Sequence, residues 1–454
     1  MLYSTPLPYV AHAGGYYAAI AQLPWATWLD SGGMGRYDIL VAQPVATLTT
    51  RAELTEINDR AGRHLSADDP FTLLRRQLGA PIPNIRDIPF CGGALGYWGY
   101  DLARRWTKLP VRSRQTEQTV PDMAVGIFDW AIVIDHHEQE ARLVSRLLAP
   151  ETADILPTIL ARLHTPPPSR QDDLRITSPL HSNLSHDEYR LAFAKIQDYL
   201  NAGDCYQVNL AQRFTADATG DALSAYLALR TLTPSPYAAF LNLPYAQILS
   251  ASPERFLSVR SGKVETKPIK GTRQRGTDAQ HDACLKQDLR NNSKDRAENL
   301  MIVDLLRNDL SRSCALGSVQ VQKLFEVESY ANVHHLVSTI SGELAADKDA
   351  LALLRNCFPG GSITGAPKQR AMEIIAQLEP QRRGLYCGAI GYIGWDGDMD
   401  SNIAIRTLIH ANGEIHFSVG GGIVADSNVE QEYQETLDKA AGIFKTLALF
   451  QNKT

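Results

Sequence analysis

An excess of positive charge, paired cysteine motifs and long apolar runs are all missing from this 454-residue sequence. A net charge of −5 and a pI near 6.2 leave no overall basic field, so nucleic acid is not an expected partner. Six cysteines, none in a C-x-x-C spacing, are too few and too scattered for a disulfide framework or a thiolate zinc site. Reduced thiols in a cytoplasm are the expectation. No apolar stretch approaches the ~20 residues of a membrane span. The opening "MLYSTPLPYVAHAGG" has no basic region ahead of an apolar run, so no secretory signal is expected. Repeats and low-complexity tracts are also lacking. What is there is ordinary for a globular chain, 44% hydrophobic and 21% charged, and long enough for two domains or one unusually large one.

The clearest break is "LHTPPPSRQDD", where three prolines and a polar tail favour an extended linker or a long surface loop. Before it, runs such as "YDILVAQPVATLTT" and "MAVGIFDWAIVIDHH" read as strands, and "FCGGALGYWGYD" sets glycines between aromatics in a way that suggests close backbone packing. After it, "SHDEYRLAFAKIQDYLNAGDC" reads as a helix. Ser185 and Glu188 are spaced as a capping box, Tyr189, Phe193, Ile196 and Leu200 follow the helical period, and Gly203 stops it. Further strands follow, and two long helices are expected around Lys294–Leu306 and Val429–Leu447. Strands in runs with helices set apart point to an α+β fold rather than βαβ alternation.

Six features carry chemistry. In "VETKPIKGTRQRG", Lys270 sits where a strand meets a glycine, either as a solvated turn residue or as a nucleophile in a cleft. In "SKDRAENLMIVDLLRNDL", Asp295 and Glu298 share a helical face. In "VEQEYQETLDKAAGIFKTL", Tyr433, Leu437, Ala440 and Phe444 form an apolar stripe, with Glu432, Glu435 and Lys439 opposite. That polar side is either a solvated face or half of a four-carboxylate cluster. Such a cluster would need a cation, and oxygen donors without histidine or cysteine favour a hard ion such as Mg²⁺. "FPGGSITGAPKQRAMEII" places glycines and hydroxyls before a helix start suited to an anion, but Ala366 stands where a Walker lysine belongs. "HFSVGGGIVAD" offers Gly420 to Gly422 either as a hairpin turn or as backbone that approaches a ligand, and Arg406 in "MDSNIAIRTLIH" is a lone arginine in an apolar strand that needs an anionic partner.

Together, "PIKGT", "KDRAENLMIVDLLRNDL", "HHLVSTISGEL", "FPGGSITGAPKQRAMEII", "YCGAIGYIG", "IAIRTL" and "GGGIVADSNVEQEYQETLDKA" resemble the chorismate-utilising enzymes, whose products include anthranilate, aminodeoxychorismate, isochorismate and salicylate. The likeness runs in order through residues 178–454, the catalytic region. Residues 1–165, with "LPWATWLDSGG", "YDILVAQP" and "FCGGALGYWGYD", resemble the N-terminal region of the aminating members. The resemblance implies an α+β fold in which two large antiparallel sheets pack together as a sandwich with flanking helices. The N-terminal part would add strands to it, and the proline-rich stretch would be a loop between halves. By resemblance, Glu298 and Glu435 would bind Mg²⁺ directly, with Asp295 and Glu432 acting through its waters, and the ion would hold the ring carboxylate. Arg406, Tyr386 and the amides around Gly420 and Gly422 would hold the enolpyruvyl carboxylate. Gly361, Ser362 and Lys439 would complete the anion cradle. His335 matches the family's active-site histidine, and Glu254, in "SASPERF", the general acid for the departing C4 hydroxyl.

Two positions separate the branches. Water-adding members carry a lysine base where this chain has Gln207, and a glutamine cannot act as a base. "PIKGT" matches the branch that aminates chorismate at C4, whereas anthranilate-forming members typically read "PIAGT". The resemblance therefore implies a lysine that adds to C2, expulsion of the C4 hydroxyl, and attack of ammonia at C4, on the way to p-aminobenzoate and folate. No glutaminase triad or fused lyase is recognisable, so a separate glutamine amidotransferase subunit is the expected ammonia source. The rival expectations are amination at C2 with loss of pyruvate, and a non-catalytic regulator that binds tryptophan or chorismate.

Overall fold

The computed structural model describes residues 2–84, 87–110, 120–165, 173–330 and 333–451. Most of the proline-rich stretch expected to join the halves therefore lies outside the described residues. Two large antiparallel sheets organise the rest. One runs in the order Tyr3–Leu7, Glu140–Ser145, Trp130–Asp135, Tyr37–Val41, Thr27–Asp30, Tyr237–Leu243, Ala246–Ser252, Thr407–Ala411, Glu414–Ile423 and Gln207–Thr219. The other runs Ile269–Gln274, Val333–Glu343, Lys263–Thr266, Arg255–Arg260, Met399–Ile403, Ala389–Gly394, Gly93–Trp98, Met123–Phe128, Ala46–Arg51, Leu54–Asp59 and Gly62–Ser66. Each sheet is thus part N-terminal and part C-terminal in sequence. The α+β sandwich with flanking helices is as expected.

Period-two burial explains the layering. Ile39 and Val41 point between the sheets with Leu95, Tyr97, Leu241, Ile248 and Ile390, while their neighbours Leu40 and Trp98 point outward. The outer face of the first sheet is covered by apolar residues of the helices Thr152–Leu163, Leu223–Leu232 and Val429–Ala448. The outer face of the second is covered by Pro70–Leu78, Ser293–Ser311 and Ala350–Cys357. Glycines let the strands close up where the sequence suggested it. A Cβ on Gly96 would strike the backbone of Ala124 in the adjacent strand.

The helix after the proline-rich stretch is His186–Asn201, with the Ser185–Glu188 capping box formed and Tyr189, Phe193, Ile196 and Leu200 buried. The two acidic helices span Ser293–Ser311 and Val429–Ala448. No helix among the described residues is long and apolar enough to cross a membrane. All six cysteines are free.

Candidate active site

The chain passes from one sheet to the other at Glu254, between Ala246–Ser252 and Arg255–Arg260, and passes back at Arg406, between Met399–Ile403 and Thr407–Ala411. The two crossovers run side by side. The Ile403 amide donates to the Glu254 carbonyl at 3.0 Å, and the Ala251 amide to the Arg406 carbonyl at 3.0 Å. Arg406 is therefore not in a strand, as the sequence suggested, but at a left-handed corner with φ +50° that the crossover imposes. Burial makes its charge costly, Glu254 offsets part of that cost, and among the described residues no group hydrogen-bonds its guanidinium. A charge desolvated in this way is suited to an anionic ligand.

Glu254 is only 7% exposed. Burial pushes its carboxyl up to about 7, against a hydrogen bond from Ser362 and the charges of Lys270 and Lys439. The Ser362 hydroxyl donates to Glu254 Oε1 at 2.8 Å from the short turn Gly361–Ile363. Gly361 is fixed by packing, since a Cβ there would lie 2.7 Å from Leu305 Cδ2. The helix that follows, Lys368–Leu378, starts beyond this turn. Its first side chain is committed to Asp309 at 2.6 Å and to the Cys357 carbonyl at 2.8 Å. The turn and the helix start, which the sequence suggested would act together, are thus separate structures.

"PIKGT" forms a β-bulge. The pairing of Ile269–Gln274 with Val333–Glu343 slips between Ile269 and Thr272, which leaves Lys270 and Gly271 unpaired. Gly271 has φ +82°, and a Cβ on it would lie 2.9 Å from the Asp295 carboxyl carbon and from Leu289. Glycine therefore allows the acidic helix to press against the bulge, and the bulge aims Lys270 at Glu298, with Nζ 3.3 Å from Oε2. Two residues on, Thr272 pairs with His335, whose Nδ1 lies 2.9 Å from Thr272 Oγ1. Burial first, then Arg406, pushes His335 down to about 4, so the imidazole is neutral at physiological pH.

Gly420, Gly421 and Gly422 lie inside the strand Glu414–Ile423, paired with Ala211, Leu210 and Asn209, and not in a hairpin turn. A Cβ on Gly420 would meet the Leu210 carbonyl, one on Gly422 the Gln207 side chain, and one on Gly421 would lie 3.2 Å from Glu432 Oε2. The polar face of the last helix is therefore laid over bare backbone. Glu432 is buried there, although the sequence allowed a solvated face. Burial pushes it up and the Glu435 charge adds to this, while Ser427 and Lys294 oppose. Burial would also raise Glu435, but Lys439, Lys270 and Lys294 hold it below its usual range. Lys439 lies 2.7 Å from Glu435 and donates to the Gly420 carbonyl at 3.0 Å. Tyr386 is buried in the segment ahead of Ala389–Gly394.

The four carboxylates do not stand together as a ready metal site. Among the described residues no group of three or more His, Cys, Asp or Glu side chains is placed to hold an ion. Each carboxylate is instead met by a basic side chain: Asp295 by Arg273 at 3.1 Å, Glu298 by Lys270, Glu432 by Lys294 at 3.9 Å, and Glu435 by Lys439. Buried and half-buried carboxylates need countercharge, most of all Glu432 and Glu435, which repel each other, and the lysines and arginine supply it here. The donors are all oxygen, which suits a hard divalent cation. Reading the sequence alone overlooked Arg273 and Lys294. Both lie beside named acids in sequence or in space, but only the fold reveals the pairing.

A separate cavity of about 650 Å³ lies between the sheets, lined by Asp30, Ser31, Pro236, Tyr237, Arg255 and Asp400 among others. None of its lining residues belongs to the constellation above.

Residues 26–445 match the family described as chorismate binding enzyme, and the chain belongs to that family. It is 48% identical over 440 residues to aminodeoxychorismate synthase component 1 of Escherichia coli (strain K12), covering 95% of each chain. It is also 36% identical over 453 residues to anthranilate synthase component 1 of Pseudomonas aeruginosa, covering 95% of this chain and 92% of that one. Among solved structures it resembles anthranilate synthase component I from Streptococcus pneumoniae TIGR4, with a TM-score of 0.81 and 34% identity, covering 90% of this chain and 92% of that one.

Proposed function

We infer that this chain aminates chorismate at C4, forming 4-amino-4-deoxychorismate, the precursor of p-aminobenzoate and folate. The observation that carries the reading is the bulge that aims Lys270 into the same constellation as the buried acid Glu254. Lys270 must first give up the proton with which it pairs Glu298 in this structure, and its amine nitrogen then adds to C2. Both ring double bonds shift, C1=C2 to C1=C6 and C5=C6 to C4=C5, and the C4 hydroxyl departs as water with the proton of Glu254. Ammonia then forms the new bond at C4, both double bonds return to C1=C2 and C5=C6, and the C2–N bond to Lys270 breaks. Arg406, the neighbouring Tyr386 and the Gly420–Gly422 backbone hold the enolpyruvyl carboxylate, and Ser362 and Lys439 extend the anion cradle. Neutral His335 offers a hydrogen bond rather than charge. Glu298 and Glu435 would hold Mg²⁺, with Asp295 and Glu432 reaching it through water, and the bound ion supplies positive charge for the ring carboxylate.

Ammonia comes from a glutamine amidotransferase subunit, in keeping with the "component 1" of its relatives' names. Free thiols throughout suit a cytoplasmic location. Mass spectrometry of the products formed from chorismate, Mg²⁺ and ammonium tests the assignment. An aminated product that keeps the enolpyruvyl group is expected. Anthranilate plus pyruvate would reassign the chain to the chemistry named for its P. aeruginosa relative.

A further inference from the structure

Beside Tyr386 lies a buried ion pair, Glu379 with Arg383, that has no part in the reaction steps above. Glu379 caps the helix Lys368–Leu378, and Arg383 follows in the segment leading to Tyr386. Their side chains are 6% and 2% exposed. The guanidinium grips the carboxylate with two bonds, Nε to Oε2 at 2.9 Å and Nη2 to Oε1 at 2.7 Å. Its other N–H groups reach outward. Nη1 donates to the Ile363 carbonyl at 2.9 Å and Nη2 to the Asn209 carbonyl at 3.1 Å. The ring of Tyr100 lies 4.9 Å from the guanidinium carbon and that of Tyr386 5.7 Å. Glu379 Oε1 also accepts the Ala211 amide at 3.0 Å.

A buried ion pair adds little net stability, because desolvation offsets its attraction. What this one adds is placement. Ile363 follows Ser362, the residue that donates to Glu254. Asn209 and Ala211 belong to the strand paired with Gly420 and Gly422. We propose that the Arg383–Glu379 pair is a positioning element of the reaction: through the Ile363 carbonyl it holds the Gly361–Ile363 turn so that the Ser362 hydroxyl stays on Glu254. The proposal rests on the assignment of Glu254 as the acid.

The Ser362 hydroxyl bond favours the ionised form of Glu254, so loosening it raises the proton affinity of that carboxyl. The other groups that face Glu254 are the Ile269 backbone amide and the side chains of Lys270, Lys439, Arg406 and Cys387. None of these is altered by Arg383→Lys, which keeps the positive charge and loses the planar fork.

The titration of Glu254 is followed by difference infrared spectroscopy of its protonated carbonyl, with Glu254→Gln as the blank. This readout needs no turnover. Arg383→Lys and Ser362→Ala are each expected to move the titration upward by roughly half a unit to one unit, and the double variant no further than either alone. If Arg383→Lys does not fold, the Arg383→Met/Glu379→Met pair fills the same volume without charge and is read in the same way. A titration that coincides with the unaltered protein when Arg383 is changed, or additive shifts in the double variant, would overturn the proposal. Product analysis of the unaltered protein reads the proposed reaction separately, so either idea can fail without the other.

Discussion

At the scale of single residues, burial keeps the carboxyl of Glu254 protonated and so available as an acid near neutral pH. Glu254 holds its proton up to about 7 in the folded chain, against an ordinary value of 4.5. Between those values the folded state binds more protons than the unfolded one, so stability is greatest below 4.5 and falls as pH rises through 7. Replacing Glu254 by Gln removes that dependence. Thermal unfolding of Glu254→Gln should exceed that of the unaltered protein at pH 8 by an amount on the order of 3 kcal/mol, and by little at pH 4. The same change should lower turnover by ~10²–10⁴-fold. At constant free ammonia, turnover of the unaltered protein should decline above pH 7, because the acid is then ionised. A stability gain independent of pH would remove burial as the cause.

This scale is also where the sequence was least explicit. Arg383 and Glu379 look like the polar end of a helix in "EPQRRG", and only burial distinguishes a clamp from a solvated pair. Arg406 was recognisable as an arginine out of place, but not as the corner of a crossover, because the positive φ arises from chain routing between sheets. The roles of Glu254 and His335 had no local signature and came from resemblance alone.

At the scale of elements, two acidic helices and one bulge frame the proposed reacting region. The carboxylate spacing within each helix was legible, because three residues make most of a turn. What was not legible is that bare glycine backbone receives one helix and a bulge receives the other. Gly271→Ala tests the bulge. The residue would be forced into φ +82° with its Cβ against Asp295, at a cost of roughly 1–3 kcal/mol, and Lys270 would be displaced with it. Thermal unfolding and turnover should fall together, and unchanged values for both would remove the bulge from the argument. Glu298→Gln and Glu435→Gln test the acidic faces. Each should abolish most Mg²⁺-dependent turnover while leaving the unfolding transition within a few degrees. Full turnover in excess chelator would show that the basic partners, not an ion, balance these carboxylates during the reaction.

At the scale of the whole molecule, the candidate site exists because strands change sheets. Glu254 and Arg406 come together only when Ala246–Ser252 and Thr407–Ala411 lie in one sheet while Arg255–Arg260 and Met399–Ile403 lie in the other. The separation of strand runs from helices gave the fold class from pattern alone. The sharing of both sheets by N-terminal and C-terminal strands was expected only from resemblance, since alternation says which face is buried and not which strand is the neighbour.

The isolated chain should aminate chorismate with ammonium and be inert with glutamine until an amidotransferase subunit is added. Glutamine-dependent turnover by the pure chain would contradict a separate ammonia source. The most direct test of the central claim is the turnover of Lys270→Ala at saturating chorismate, with products identified by mass spectrometry and folding checked by its unfolding transition. The account predicts a folded protein whose 4-amino-4-deoxychorismate output has collapsed to traces. A folded Lys270→Ala that makes the same product at close to the original rate would show that Lys270 is not the nucleophile.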